Sequence, residues 1–262
     1  MIYFHCTPDR TDWLQHRPGV NVLASAYRIR KFPKIMDYLH LANDTFLDSG
    51  MISAWSAGDD WWHKQTDFIL GVATAGRFRR VAMLDLPCEP NFLEANGWSL
   101  RRALLCTQAN ARRFMDAKVP GTKVLVVQGW EPKHYKACIN HYHRRGYFKQ
   151  ACWVGIGSVC RRTPKNGLYD ICQLVREELP NKHVHAFGIG KPEWIRRLEE
   201  IGIDSTDSST ASTRVGFNRV KSVKRTAKRT DRQVRIQFAR EMLYVENELR
   251  GAGVQLRDQV GR

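Results

Sequence analysis

The sequence predicts an α/β fold: a (β/α)8 TIM-like barrel with a basic C-terminal extension. Three observations point there. Short, nearly continuous apolar runs recur along the chain, as in parallel strands covered on both faces. Longer stretches of helical periodicity lie between them, so strand and helix alternate at ~20–40-residue intervals. The 262 residues suit one barrel of about 250 residues better than an open doubly wound sheet.

Seven runs read as strands: VNVLASAY (20–27), TFLDSG (45–50), VAMLDLP (81–87), KVLVVQG (123–129), CWVGIGS (152–158), HVHAFGIG (183–190) and IDSTDSS (203–209). Residues 101–118 read as a helix with Ala103, Leu104, Ala109 and Phe114 on one stripe. Residues 168–178 and 192–201 read as two more. After residue 212 the character changes. Residues 213–235 hold nine Lys/Arg and one Asp, half of the net charge of +16, with few apolar anchors. Such a segment is solvated. Residues 232–250 read as a helix with Ile236, Met242, Leu243 and Leu249 available for docking. The predicted division is a catalytic barrel over 1–212, and a basic segment with a docked helix over 213–262.

Composition bounds the function. At 43% hydrophobic residues the chain is no disordered basic tail. No run of ~18 apolar residues is present, so no membrane span is expected. The first ten residues lack a secretory layout, so a cytoplasmic location is expected. The seven cysteines are odd in number, widely spaced and without CxxC, which reads as buried, reduced thiols. His141 and His143 read as a solvated helix face, so no metal is expected. No phosphate-loop motif occurs, and no cofactor is expected. The charge of +16 points to a polyanionic partner, most simply nucleic acid.

In a parallel barrel the C-terminal strand ends face the active site. Polar residues stand there: Asp48 and Ser49, Asp85, Gln128, Ser158, and Asp207 with Ser208. An Asp past a strand is also a favoured helix cap, but three carboxylates and a glutamine at corresponding ends exceed what capping needs. Asp48 and Asp207 on different strands can divide labour as acid/base and nucleophile. A carboxylate nucleophile suits attack on an anomeric carbon. The same pair could bind Mg²⁺ in a metal-dependent hydrolase, although no third ligand clusters with it.

These residues also carry a resemblance. TFLDSGMISAWS resembles the strand-end DSG motif of the tRNA-guanine transglycosylases, and GIDSTDSSTASTR their second aspartate motif. VLVVQG, VGIGSVCRR and FGIG resemble three further segments in the right order, together spanning about residues 45–215. The wording is most similar to the DpdA-type DNA transglycosylases, phage and bacterial relatives that exchange guanine in DNA for a 7-deazaguanine. No cysteine follows Cys172, so the zinc site of the RNA enzymes is absent, and Met51 replaces a usual glycine.

The resemblance implies that Asp207 attacks C1′ and that Asp48 is the acid/base. It implies that Asp85 reads the purine N–H edge and Gln128 its carbonyl. Gly129, Gly157 and Ser158 would offer backbone groups, Phe187 would wall the base, and Ser49 would sit beside the acid/base. The co-substrate would be a free preQ0-like 7-deazaguanine, and the location the host cytoplasm if the gene is a phage's. A duplex hides the target, so the nucleotide must be single-stranded or flipped. Trp55, Trp61, Trp62 and Trp130 are candidates to stack in its place. Arg161 and Arg162 are expected to meet phosphate, and Lys221, Lys224, Arg225, Lys228 and Arg229 to hold DNA. A tRNA-guanine transglycosylase acting on RNA, or a nucleic-acid-binding barrel without catalysis, is the alternative.

Overall fold

The computed structural model describes residues 1–8, 11–56, 65–76, 78–215 and 231–257. Eight parallel strands close into a barrel in chain order: β1 Ile2–Cys6, β2 Asn21–Ser25, β3 Asp44–Asp48, β4 Arg80–Ala82, β5 Thr122–Val127, β6 Trp153–Ile156, β7 His183–Ala186 and β8 Ser205–Ser208. The predicted fold class is therefore observed. The sequence reading missed β1. Its run, IYFHC, closes on a cysteine, without the Asp, Ser or Gly that marks the ends of the others. It closes the ring, pairing Phe4 with Asp207 of β8 and Cys6 with Leu23 of β2.

Alternation along each strand sends every second side chain into the lumen. On β3 these are Asp44, Phe46 and Asp48. The Phe46 ring sits 5.6 Å from Phe4, 4.9 Å from His185 and 5.9 Å from Phe187. Aromatic packing thus fills the middle of the barrel. Below it, Asp44 pairs with Arg80 inside the barrel, and the Arg80 guanidinium lies 3.9 Å over Trp153. Burial pushes the Asp44 carboxyl up even with this partner beside it. What remains at the upper end is the polar layer that includes Asp48 and Asp207.

The helices are α1 Ala26–Lys31, α2 Met51–Ser56, α3 Gln65–Ala75, α4 Pro90–Ala95, α5 Leu100–Asp116, α6 Pro132–Arg144, α7 Leu168–Glu178, α8 Pro192–Ile201 and α9 Asp231–Gly251. Ser99 caps α5 by accepting the Arg102 N–H. The buried stripe of α5 is Ala103, Thr107, Ala111 and Phe114. Ala109 is exposed, because six residues on from Ala103 is about 240° around the helix.

Helix α9 supplies the outer layer between β8 and β1. Phe238, Met242, Val245 and Leu249 are buried, spaced four, three and four apart as a docked face requires. Leu243, expected on that face, is 43% exposed, and Ile236 is half-buried. Phe238 packs edge-on against Trp13, 5.0 Å away, in the short 3-10 turn Asp12–Gln15. Polar pairs fix the register: Arg235 with Asp12 at 2.7 Å, Arg214 with Glu248 at 2.7 Å, and Glu246 with both His5 and Arg17. No helix among the described residues is long and apolar enough to cross a membrane.

Candidate active site

The C-terminal strand ends surround a cavity of about 760 Å³. Its lining includes Asp48, Ser49, Asp85, Gln128, Gly157, Ser158, Phe187 and Asp207. All eight are among the predicted site residues. They come from six strands or the turns just past them, which is how a barrel assembles a site from distant sequence.

Asp207, on β8, is 5% exposed. Its Oδ1 accepts the Gly188 N–H at 2.9 Å and lies 3.1 Å from His185 Nε2. Its Oδ2 accepts the Cys6 thiol at 3.1 Å. Burial lowers the His185 pKa and leaves the ring neutral. Ser205 Oγ lies 2.9 Å from the other ring nitrogen. A ring that donates from Nε2 to the carboxylate then accepts the serine hydroxyl at Nδ1. Burial and the neighbouring Asp207 raise the Cys6 pKa well above its usual range, so the thiol keeps its proton.

Asp48 ends β3. Its Oδ2 accepts the Gly50 N–H at 2.9 Å. Gly50 has φ +73°, and a Cβ there would sit 2.0 Å from Ser25 Oγ; only glycine allows this turn. Burial, then the negative charges of Asp85 and Asp207, push the Asp48 carboxyl up to about 7. It therefore exchanges its proton near neutrality, as a general acid/base requires.

Asp85 and Gln128 form the opposite wall. Gln128 Nε2 donates to Asp85 Oδ2, and Ser49 Oγ reaches Asp85 Oδ1 at 3.5 Å. Burial pushes the Asp85 carboxyl up to about 6, against the Gln128 bond that lowers it. Gly157 lies directly beneath this pair: a Cβ there would be 2.3 Å from Gln128 Nε2. Ser158 holds φ +54°, a left-handed backbone that a non-glycine residue adopts at a cost of roughly 1–2 kcal/mol. Its hydroxyl accepts the Cys88 N–H at 2.8 Å and faces Gln128 Oε1 at 2.7 Å and Glu89 Oε2 at 2.8 Å. It has one proton for the two.

Two expectations need correction. Gly129 does not line the cavity. Its N–H points to Gln128 Oε1, and a Cβ there would meet His134 and Tyr135 at under 3 Å, so it serves the close approach of α6. Arg162 is buried and donates to the carbonyls of Ser158, Asn166 and Trp130 while stacking 3.9 Å over the Trp130 ring. It braces the loop and is not presented to a phosphate. Arg161 is exposed, 4.6 Å over Trp55. Trp61, Trp62, Lys221, Lys224, Arg225, Lys228 and Arg229 lie outside the described residues.

The sequence reading missed Cys6, His185 and Glu89. Cys6 sits on the missed strand. His185 had a usable signal, since it alternates with His183 and Phe187 and so faces the lumen. Glu89 follows its strand by several residues and carries no such periodic mark. The expectation of buried thiols holds for Cys88, Cys138 and Cys172 but not for Cys152, which is exposed. Among the described residues no three His, Cys, Asp or Glu side chains are grouped to hold a metal ion.

Residues 2–218 match the protein family DpdA, described as DeoxyPurine in DNA protein A. No curated protein matches the chain. A solved structure described as a fructose-1,6-biphosphate aldolase from Coccidioides immitis superposes with a TM-score of 0.57 at 11% identity, over 96% of this chain and 88% of that one. At that identity the likeness is one of barrel fold alone.

Proposed function

The chain belongs to the DpdA family, and on that footing we propose that it exchanges guanine in DNA for a preQ0-like 7-deazaguanine through a covalent glycosyl ester on Asp207. Asp207 attacks C1′ as the bond from C1′ to guanine N9 breaks. Asp48, protonated, gives its proton to the departing N9. The incoming base then surrenders its ring N–H to the Asp48 carboxylate and attacks C1′, and the Asp207 ester bond breaks. One glycosidic bond is lost and one is made, so the exchange needs no external energy source and calls for no cofactor.

The observation that carries this reading is the unequal setting of two carboxylates facing one cavity. Asp207 is held by Gly188, Cys6 and His185. Asp48 sits among like charges with its proton exchanging at about 7. Such a division is what separates a nucleophile from an acid/base. Asp85 and Gln128 supply an acceptor and a donor on the opposite wall, matching a purine edge that offers N–H groups beside a carbonyl. Phe187 supports the flat side of the slot.

The deciding experiment is mass spectrometry of nucleosides from DNA co-expressed with the protein and a deazapurine supply. A 7-deazaguanine deoxynucleoside is expected. A modified ribonucleoside in tRNA alone, with unmodified DNA, overturns the reading.

A further inference from the structure

The lip of the cavity carries a structure that the exchange chemistry does not use. Arg161 lies 4.6 Å over the Trp55 ring, and Arg102 lies 4.4 Å over the Trp98 ring. Phe92 joins the two, its ring 5.2 Å from Trp55 and 6.4 Å from Trp98, edge-on to both. The result is one row: Arg161, Trp55, Phe92, Trp98, Arg102. Three of its members belong to segments that leave the cavity wall, and Trp98 and Arg102 extend the row away from it. Trp55 shares α2 with the lining residues Met51, Ile52 and Ser53. Arg161 follows the lining Cys160, and Phe92 comes three residues after the lining Glu89. Phe92 is buried, the tryptophans are half-buried, and both arginines are exposed.

We propose that this row is the docking surface for the DNA strand flanking the reacting nucleotide. The proposal rests on the reading of the cavity as a DNA transglycosylase site. Stacking an arginine on a ring fixes the guanidinium plane, and the N–H edge remains suited to a phosphate. Half-buried tryptophan edges offer a platform to unpaired bases. A row of rings with a cation at each end offers stacking faces between two phosphate contacts, the two features a single strand presents. Charge supports the same occupant. Arg102 makes no ion pair among the described residues, whereas Arg112 and Arg113 on the same helix pair with Asp116 and Asp67. Arg102 also sits in the first turn of α5, a helix of 17 residues, whose N-terminal dipole adds positive potential there.

The test uses the full chain and a fluorescein-labelled, guanine-containing single strand of about twenty nucleotides, long enough to pass one binding site. Affinity is measured across a range of salt. Arg102→Ala and Arg161→Ala should each weaken binding and take roughly 0.7 from the slope of log K against log salt, the share of one phosphate contact on a single strand. Arg112→Ala removes the same charge nearly three turns along α5 and should leave the slope unchanged. Trp98→Ala should lose at least ~5-fold in affinity and Trp98→Phe, which keeps a ring, much less. A wild-type slope in Arg102→Ala, or an equal drop in Arg112→Ala, overturns the surface. If the wild-type chain still exchanges guanine in that strand, only the surface has failed. A wild-type chain that neither binds the strand nor exchanges its guanine overturns the surface and the reading of the site together.

Discussion

Gly157→Ala separates base recognition from bond chemistry with a single methyl group. The new Cβ would lie 2.3 Å from Gln128 Nε2, 2.5 Å from its Cδ and 2.9 Å from Asp85 Oδ2. Ordinary contact begins near 3.4 Å, so Gln128 must retreat by about 1 Å or more. That retreat pulls Nε2 off Asp85 and Oε1 off Ser158 and the Gly129 N–H, the bonds that hold the amide. The main chain at Gly157 is not left-handed, so alanine adds crowding without backbone strain. Overpacking of this kind costs about 1–3 kcal/mol of stability, and the barrel should stay folded. A displacement of about 1 Å in a positioning group costs on the order of 10²-fold in rate. Steady-state exchange of labelled guanine in an oligonucleotide should therefore lose about 10²-fold in kcat/KM, while circular dichroism and Tm show a folded barrel. Gly157→Ala with Gln128→Ala should recover Tm, because the space returns, but not activity. Wild-type exchange kinetics in folded Gly157→Ala would refute the assignment of Asp85 and Gln128 as the base-reading wall.

Four further outcomes are expected. Asp207→Asn should abolish exchange and yield no protein–DNA band on a denaturing gel; a persistent adduct would remove Asp207 as the nucleophile. The first, adduct-forming turnover needs Asp48 protonated, so its rate should fall above pH ~7 by about tenfold per unit, as read in single-turnover quench experiments. The folded carboxyls of Asp48 and Asp85 titrate near 7 and 6 against ~4 when unfolded. The folded state thus holds protons that the unfolded state gives up, and stability falls as pH rises from ~4 through ~7; Asp48→Asn should flatten that fall in a Tm-against-pH series. Arg80→Ala leaves Asp44 buried without its partner and should cost about 3–5 kcal/mol by urea denaturation, with the upper site still able to bind base.

What the sequence made legible follows from how a barrel is written. A residue that ends an apolar run is at the mouth, and Asp48, Gln128 and Asp207 each announced themselves by position alone. The seven strands that follow a helix or turn signal were legible for the same reason. Strand β1 was not, because its run IYFHC closes on a cysteine with no Asp, Ser or Gly to mark a strand end, and with it went Cys6. Arg162 was misjudged because a strand-end arginine pair reads the same whether its cations face solvent or carbonyls. Only the Ser158, Asn166 and Trp130 carbonyls around one guanidinium tell Arg162 from Arg161. The helix after the basic run was expected to dock, and it packs in the barrel's outer layer through Met242 and Leu249 as expected, but with Phe238 and Val245 in place of Ile236 and Leu243, a difference of one or two positions of helical phase that a stretch dominated by charge leaves open.

The roles of the two aspartates show most sharply where sequence reasoning stops. Asp48 and Asp207 are the same residue type at corresponding strand ends, and nothing local ranks one as nucleophile. Their partners do. Asp207 draws a backbone N–H from β7's turn, a thiol from β1 and a neutral imidazole from β7. These donors hold both oxygens in place for the attack. Asp48 takes backbone N–H groups from its own turn, at Gly50 and Ser49, and otherwise meets burial and two negative neighbours, which favour the proton it must carry. His185 lies 22 residues before Asp207 and Cys6 lies 201 before it. A division of labour set by partners that far away is a property of the closed barrel, and it exists only once β1 has paired with β8.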